Sequence, residues 1–218
     1  MIFIDKIKGR FFRNKETNND KWVLSLLKNK KDGYFIEAGA WDGVIASSSY
    51  VLEKYYGWKG LLIEPGPAFL DLKKNRPKSI CINKILLDKK SFEKFIVFRN
   101  LYGYNCTKEN YILNQEKILK AYGDKDFSFE EINIETVLLA DLLEEYNAPK
   151  IIDYLTLDIE GSEFRVLKNF PFEKYKIRCI AIEGSECDEL LISKGYKKVN
   201  NKYNINAPWE SYFIYDFD

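Results

Sequence analysis

The run Tyr34-Phe35-Ile36-Glu37-Ala38-Gly39-Ala40-Trp41-Asp42-Gly43 decides the fold. Its first five residues form a short, mostly apolar stretch that stops at a glycine, the pattern of a buried strand running into a tight turn. A helical stretch follows from Ser47 to Tyr56. A second apolar run, Gly60-Leu61-Leu62-Ile63-Glu64, is stopped by Pro65-Gly66-Pro67. The same alternation continues in both directions. Upstream, Asp20 is placed to cap a helix carrying Trp22, Val23, Leu26 and Leu27. Downstream, Phe69 to Lys74 reads as helix, Ser79 to Leu87 as one strand and Phe92 to Phe98 as another. Val137 to Tyr146 reads as helix, Ile151 to Asp158 as strand and Ser162 to Asn169 as helix. Ile177 to Glu183, Asp188 to Lys194 and Ser211 to Tyr215 complete the series as strand, helix and strand. Strands separated by helices of about ten residues predict an α/β fold with a mostly parallel sheet and helices on both faces. The expected organisation is an N-terminal extension over 1–19 and one domain over 20–218. An irregular, Tyr- and Asn-rich insertion at about 91–131 breaks the rhythm.

Composition narrows the chemistry. The chain has 218 residues, 34 Lys plus Arg, 33 Asp plus Glu and no histidine, for a net charge of +1. The near-neutral balance disfavours a nucleic-acid partner. The missing histidine removes Ser-His-Asp and Cys-His nucleophiles and every histidine-ligated metal site. Carboxylates, hydroxyls, lysines, backbone groups or a bound cofactor must carry any reaction. Cys81, Cys106, Cys179 and Cys187 show no C-x-x-C spacing, and Cys81 and Cys179 sit in apolar runs. Free, buried thiols in a reducing compartment are expected. The start Met1-Ile2-Phe3-Ile4-Asp5 is too short for a signal-peptide core. No stretch has the length of a membrane span. A cytoplasmic protein, monomer or homodimer, is expected.

In a sheet of this kind, ligands bind beyond the carboxyl ends of the strands, where strand order reverses. Gly39 there allows a close backbone approach, and Gly43 with the following helix start offers amide donors. Glu64 ends the second strand, where an acidic side chain can bond two ribose hydroxyls. Together these point to an adenosine-containing ligand. A dinucleotide loop would need Gly-x-Gly-x-x-Gly, but Trp41 holds the middle place and no third glycine follows. Glu37 and Asp42 flank the turn instead. Carboxylates repel a pyrophosphate and suit an amino group and a sulfonium, so the residues lean toward S-adenosylmethionine (SAM) over NAD. Asp158 and Glu183 end two neighbouring strands, with Glu160 just beyond the first. They converge on one point if the sheet forms as read. Glu163, in the first turn of a helix, reads instead as a structural carboxylate.

The segments YFIEAGAWDGVIASSSYVLEKYYGWKGLLIEPGP (34–67) and APKIIDYLTLDIEGSEFRVLKNFPFEKYKIRCIAIE (148–183) resemble the FkbM-type family of SAM-dependent methyltransferases. The Leu-Asp-Ile-Glu-Gly-Ser-Glu motif at 157–163 is the most specific part. The resemblance implies a Rossmann-like class I methyltransferase with a seven-stranded, mostly parallel sheet whose last strand is reversed. It implies SAM as donor and often a sugar or polyketide hydroxyl as acceptor. It places Glu37, Gly39, Asp42, Gly43 and Glu64 around SAM, Ser47 near the methionine end and Asp88 near the adenine. It puts Asp158, Glu160 and Glu183 at the reaction point. Many relatives have histidine or asparagine after the position of Glu183, whereas Gly184-Ser185-Glu186 follows here. The acceptor contacts of relatives are therefore not transferable.

A hydroxyl acceptor needs activation. With no histidine, the routes are a carboxylate base among Asp158, Glu160 and Glu183, or a divalent cation (magnesium or manganese) held by the same three. The Tyr- and Asn-rich segment, with Tyr102 and Tyr104, and Trp209 in a later loop, suits a sugar, whose ring faces pack on aromatics while its hydroxyls meet polar tips. The expected substrate is a small molecule or glycan: a nucleotide-sugar or a surface glycan intermediate of polysaccharide biosynthesis. The alternatives are a polyketide, lipid or amine acceptor, or a non-catalytic nucleotide-binding module.

Overall fold

The computed structural model describes residues 17–99, 102–122 and 128–217, with the side chains of Tyr102, Ala121 and Tyr122 outside the description. Most of the expected 1–19 extension therefore lies outside the described residues. The main sheet is built from β1 (Tyr34–Ala38), β2 (Lys59–Ile63), β3 (Ile80–Ile82), β8 (Ile151–Leu157), β9 (Lys176–Glu183), β10 (Lys197–Val199) and β11 (Glu210–Ile214). Its order is β3-β2-β1-β8-β9-β11-β10. The pairs from β3 through β9 are parallel, and β11 runs antiparallel to both β9 and β10. This is the seven-stranded sheet with a reversed last strand that the resemblance implied. Strand order reverses between β1 and β8, which fixes where a ligand crevice opens.

Alternation along each strand explains why helices cover both faces. Ile36, Leu61, Ile63, Leu155, Ile180, Ile182 and Phe213 point to one side. They pack with α5 (Leu139–Glu145), α6 (Glu163–Leu167) and α7 (Asp188–Ser193). Their neighbours Phe35, Leu62, Tyr154, Ala181 and Tyr212 point to the other side. They pack with α1 (Asn19–Leu26), α2 (Tyr50–Tyr56) and α3 (Phe69–Asn75). A parallel strand buried on both faces has no polar side, which is why these runs read as nearly continuous apolar stretches.

Five sequence expectations need correction. The run Ser79 to Leu87 is not one strand. After β3 the chain turns at Asn83, whose Nδ2 donates to Glu64 O (3.0 Å), and Ile85–Leu86 becomes β4 of a second sheet. Where it is described, the segment 91–131 is not irregular. β5 (Phe92–Phe98), β6 (Cys106–Thr107) and β7 (Phe129–Val137) join β4 in the order β4-β7-β5-β6. The 15-residue helix α4 (Lys108–Tyr122) packs on this sheet through Ile118 against Ile96 and Phe98. Tyr111 is part of that packing, its ring 5.2 Å from Phe129 and 5.9 Å from Phe98. Val137 accordingly ends a strand, and helix α5 begins only at Leu139. Finally, Asp20 is not the N-cap residue: Asn18 holds that place in α1, and Asp20 lies within the first turn. Leu26 is exposed while Leu24 is buried. Of the expected thiols, Cys179 is buried and Cys81 half-buried, and all four cysteines are free.

Asp20 is fully buried, with Oδ1 accepting from Lys21 N (2.8 Å) and Oδ2 without a partner among the described residues. Burial pushes its carboxyl up to about 7. A carboxyl with a raised folded pKa favours the protonated state. The folded protein therefore loses stability as pH rises from the unfolded value, near 3.9, to about 7. Asp20→Asn should raise Tm by several degrees at pH 8 and by much less at pH 4.5. Thermal melts at both pH values check this, and equal shifts at the two would contradict it.

Candidate active site

Register sets the site. Ala38 lies opposite Ile63 on β2 and opposite Leu157 on β8, and Leu157 lies opposite Ile182 on β9. The next residues, Gly39, Glu64, Asp158 and Glu183, therefore stand in one row at the carboxyl edge of the sheet. Two hydrogen bonds hold the row: Gly39 N donates to Ile63 O (3.1 Å) and Asp158 N to Ala38 O (3.2 Å). Gly39 has φ +79°, and a Cβ on it would lie 1.9 Å from Asp158 O. No side chain fits between these two strand ends.

A cavity of about 600 Å³ opens over the row. Gly39, Ser47, Glu64, Asp158, Glu160, Glu183, Tyr104 and Trp209 all line it. A smaller vestibule of about 150 Å³ adjoins it and shares Tyr104, Lys117, Glu160, Glu183 and Trp209 with its wall. Backbone strain gathers here: Trp41 (φ 45°), Ala46 (φ 55°) and Glu160 (φ 54°) are left-handed and all line the cavity.

Glu64 is buried, and each of its oxygens accepts one backbone amide. Oε2 takes Trp41 N and Oε1 takes Gly66 N, both at 2.9 Å. Burial raises its pKa while the two amides pull it down. Each oxygen keeps a lone pair for a ligand hydroxyl. Asp158, Glu160 and Glu183 bring one carboxylate oxygen each within 4.8 Å of one another. The Asp158 carboxyl is pushed well above its ordinary range, first by burial and then by Glu183, Glu160, Glu210 and Glu163. Asp158 is open to the cavity, so water there tempers the burial contribution, whereas the neighbouring charges act in either case. Glu160 is pushed up to about 8 by burial and by Glu183, with Lys117 opposing. Asn110 on α4 positions Glu160: its Nδ2 donates to Glu160 O (3.0 Å) and to Ser162 Oγ (2.8 Å).

Four expected cofactor residues take other places, and none of them lines the cavity. Glu37 is buried and organises the 47–49 loop. It accepts from Ser47 Oγ (3.0 Å), Ser48 N (2.8 Å) and Ser49 Oγ. Asp42 closes its own turn, accepting from Val44 N and Ile45 N at 2.8 Å. Gly43 has φ +75° and is packed so closely that a Cβ would meet Leu72 and Arg76. Asp88 is tied to Arg165 (2.9 Å) and Lys168 (2.6 Å). The Lys168 hydrogen bond is the largest influence holding its carboxyl low, at about 2. The backbone of Tyr102 lies in a 3₁₀ turn, Tyr102–Tyr104, and its side chain is outside the described residues.

Two groups of residues escaped the sequence reading. Arg76 is buried and binds Gly43 O (3.0 Å), Ser47 Oγ (3.2 Å) and Ser49 Oγ (3.0 Å), while Glu53 neutralises it at 2.9 Å. It clamps the loop that carries Ser47. Ile85, Leu86 and Phe95, from the second sheet, form an apolar wall at the β3 end of the cavity. An apolar run of sequence announces burial but not which cavity it faces.

The strand order, the reversed β11 and a crevice at the strand-order switch define a Rossmann-like class I methyltransferase architecture. The FkbM methyltransferase domain matches residues 37–192. The chain belongs to that family and is a SAM-dependent methyltransferase. Similar solved structures include the METTL16 methyltransferase domain, at 15% identity over 91% of this chain and 67% of that one, TM-score 0.48. The human methyltransferase 10 domain containing protein has 14% identity over 92% and 81%, TM-score 0.46. Precorrin-6y C5,15-methyltransferase from Geobacter metallireducens GS-15 has 11% identity over 89% and 86%, TM-score 0.43. At these scores the likenesses bear on neither the acceptor nor the role of any residue. Among curated proteins, none matches the chain. Among the described residues, no helix is long and apolar enough to cross a membrane.

Proposed function

We propose that the protein methylates a hydroxyl of a sugar, with SAM lying along the row of strand ends. The observation that carries the reading is that one cavity joins the buried Glu64, the side-chain-free edge at Gly39 and the Asp158–Glu160–Glu183 group. The residues fit this donor. Glu64 has free lone pairs for ribose hydroxyls, Ile85, Leu86 and Phe95 give an apolar wall for adenine, and Gly39 and Ser47 flank the amino-acid end. Bound there, SAM supplies an electrophilic methyl group on a sulfonium.

Asp158 is the proposed base, taking the acceptor's hydroxyl proton, with Glu160 and Glu183 keeping its proton affinity high. A carboxylate with a raised pKa holds that proton better than an ordinary one. Tyr104 and Trp209 supply ring faces for the sugar. A base must be deprotonated to act, so kcat should rise with pH through the region where the cluster ionises, near 8 for Glu160. A rate that falls across that range would contradict a carboxylate base. The same three carboxylates have the donor set for a magnesium or manganese ion. With Asp158 as the base, EDTA should leave the rate unaltered. Loss of activity restored by either metal would transfer the role to a bound cation. The acceptor is tested with labelled SAM against sugars, nucleotide-sugars, RNA, a phenol and a polyketide alcohol. Methylation of a sugar hydroxyl supports the reading. Turnover of RNA or the polyketide alone refutes it and leaves the methyltransferase standing.

A further inference from the structure

We propose that the mouth of the cavity docks on an anionic lipid bilayer, held by the exposed apolar residues of its rim and by the segment 1–16. This goes beyond the sugar reading and does not depend on it. Ile45, Leu113, Ile205 and Trp209 are between 52% and 77% exposed, and all four stand at the mouth. Ile45 and Trp209 line the cavity itself. Leu113 lies one turn before Lys117 on α4, and Lys117 shares the walls of both the cavity and the vestibule with Trp209. Ile205 belongs to the loop that ends at Trp209. Tips spaced round an opening suit a bilayer, which accepts each singly. A protein partner would need a continuous face of about 800 Å².

The loop is built to hold Ile205 outward. Asn204 clamps Ala207 with both ends of its amide: Oδ1 accepts from Ala207 N (2.9 Å), and Nδ2 donates to Ala207 O (2.7 Å) and to Tyr212 OH (3.0 Å). Ala207 is buried, so Ile205 and Asn206 form an exposed tip between two anchored residues. An aliphatic side chain fixed in water is stabilised by any apolar phase that receives it. The same loop receives the start of the described chain. Asn201 Nδ2 donates to Thr17 O (2.9 Å), and Asn18 Nδ2 to Tyr203 O (3.0 Å). The segment 1–16, MIFIDKIKGRFFRNKE, lies outside the described residues and joins at Thr17, beside the base of this loop. It holds three Ile, three Phe and five Lys or Arg against two acidic residues. Apolar residues interspersed with cations suit the surface of an anionic bilayer, and a tryptophan such as Trp209 suits its headgroup level.

The test co-sediments the full chain with vesicles of phosphatidylcholine alone, and of phosphatidylcholine with an equal part of phosphatidylglycerol. The chain should partition to the second, and less so as salt is raised. Lys6→Gln with Arg10→Gln should weaken partitioning by about fivefold for each cation removed. Ile205→Ser with Leu113→Ser should weaken it by about tenfold or more, the scale of returning a large aliphatic side chain to water. Brominated acyl chains in the same vesicles should quench tryptophan emission, and Trp209→Phe should remove most of that quenching. Trp22 and Trp58 are buried and residues 1–16 contain no tryptophan, so the signal reports the mouth. Partitioning to neither vesicle, or equally to both, overturns the inference. So does partitioning without quenching, or partitioning that the Ile205 and Leu113 substitutions leave unchanged, which would place segment 1–16 alone on the lipid. Dimerisation without lipid binding would give the rim to a second copy and overturn it as well. None of these results bears on the sugar reading, because none measures methyl transfer.

Discussion

Asp158→Asn is expected to lower kcat by roughly 10²–10⁴-fold, the usual cost of a lost general base, while SAM affinity changes far less. The substitution keeps the shape of the side chain and removes its capacity to hold a proton. Asp158 N already bonds Ala38 O, and this contact does not involve the side chain, so the row of strand ends should survive. Asp158 faces its strongest electrostatic neighbours, Glu183 and Glu160, across the space where the methyl group would move. Single-turnover rates alongside calorimetric SAM binding separate the two effects. A variant with wild-type turnover would remove Asp158 from the chemistry, whether as base or as cation ligand.

Glu64→Ala should weaken SAM binding by an order of magnitude or more. A hydrogen bond to a charged group contributes about 1.5–3 kcal/mol, and Glu64 is placed to accept one or two from the ribose. A second effect acts in the same direction. The Trp41 and Gly66 amides lose their acceptor, and Trp41 belongs to the strained turn that lines the cavity. Calorimetry on the folded variant is the check, and unchanged affinity would remove Glu64 from the donor site.

The main sheet was legible because its strands announce themselves locally. Apolar runs ended by Gly39 and by Pro65-Gly66-Pro67 need no distant partner to be read. Register then brings Glu64, Gly39, Asp158 and Glu183 level, each at a strand end that its apolar run marks. The second sheet was less legible. In α4, Ile118 is buried but Ile112, Leu113 and Leu119 are exposed, so no clean apolar stripe marks the helix. β3 and β4 are separated only by Asn83 and Lys84, a break too short to see in an apolar run.

Two of the residues expected around SAM have partners that the local sequence does not reveal. Glu37 resembles a ligand carboxylate until Ser47, Ser48 and Ser49 fold back over it. Asp88 resembles an adenine contact until Arg165 and Lys168, on the α6 side, neutralise it. Residue type and strand-end position identify a carboxylate that matters. Only the fold distinguishes one that shapes a loop from one that faces the cavity.

The most direct test of the account is a crystal structure of the protein with S-adenosylhomocysteine. The account predicts the ribose hydroxyls on Glu64, the adenine against Ile85, Leu86 and Phe95, and the sulfur directed toward Asp158. A nucleoside bound away from Glu64, or a sulfur turned from the Asp158–Glu160–Glu183 group, would contradict it.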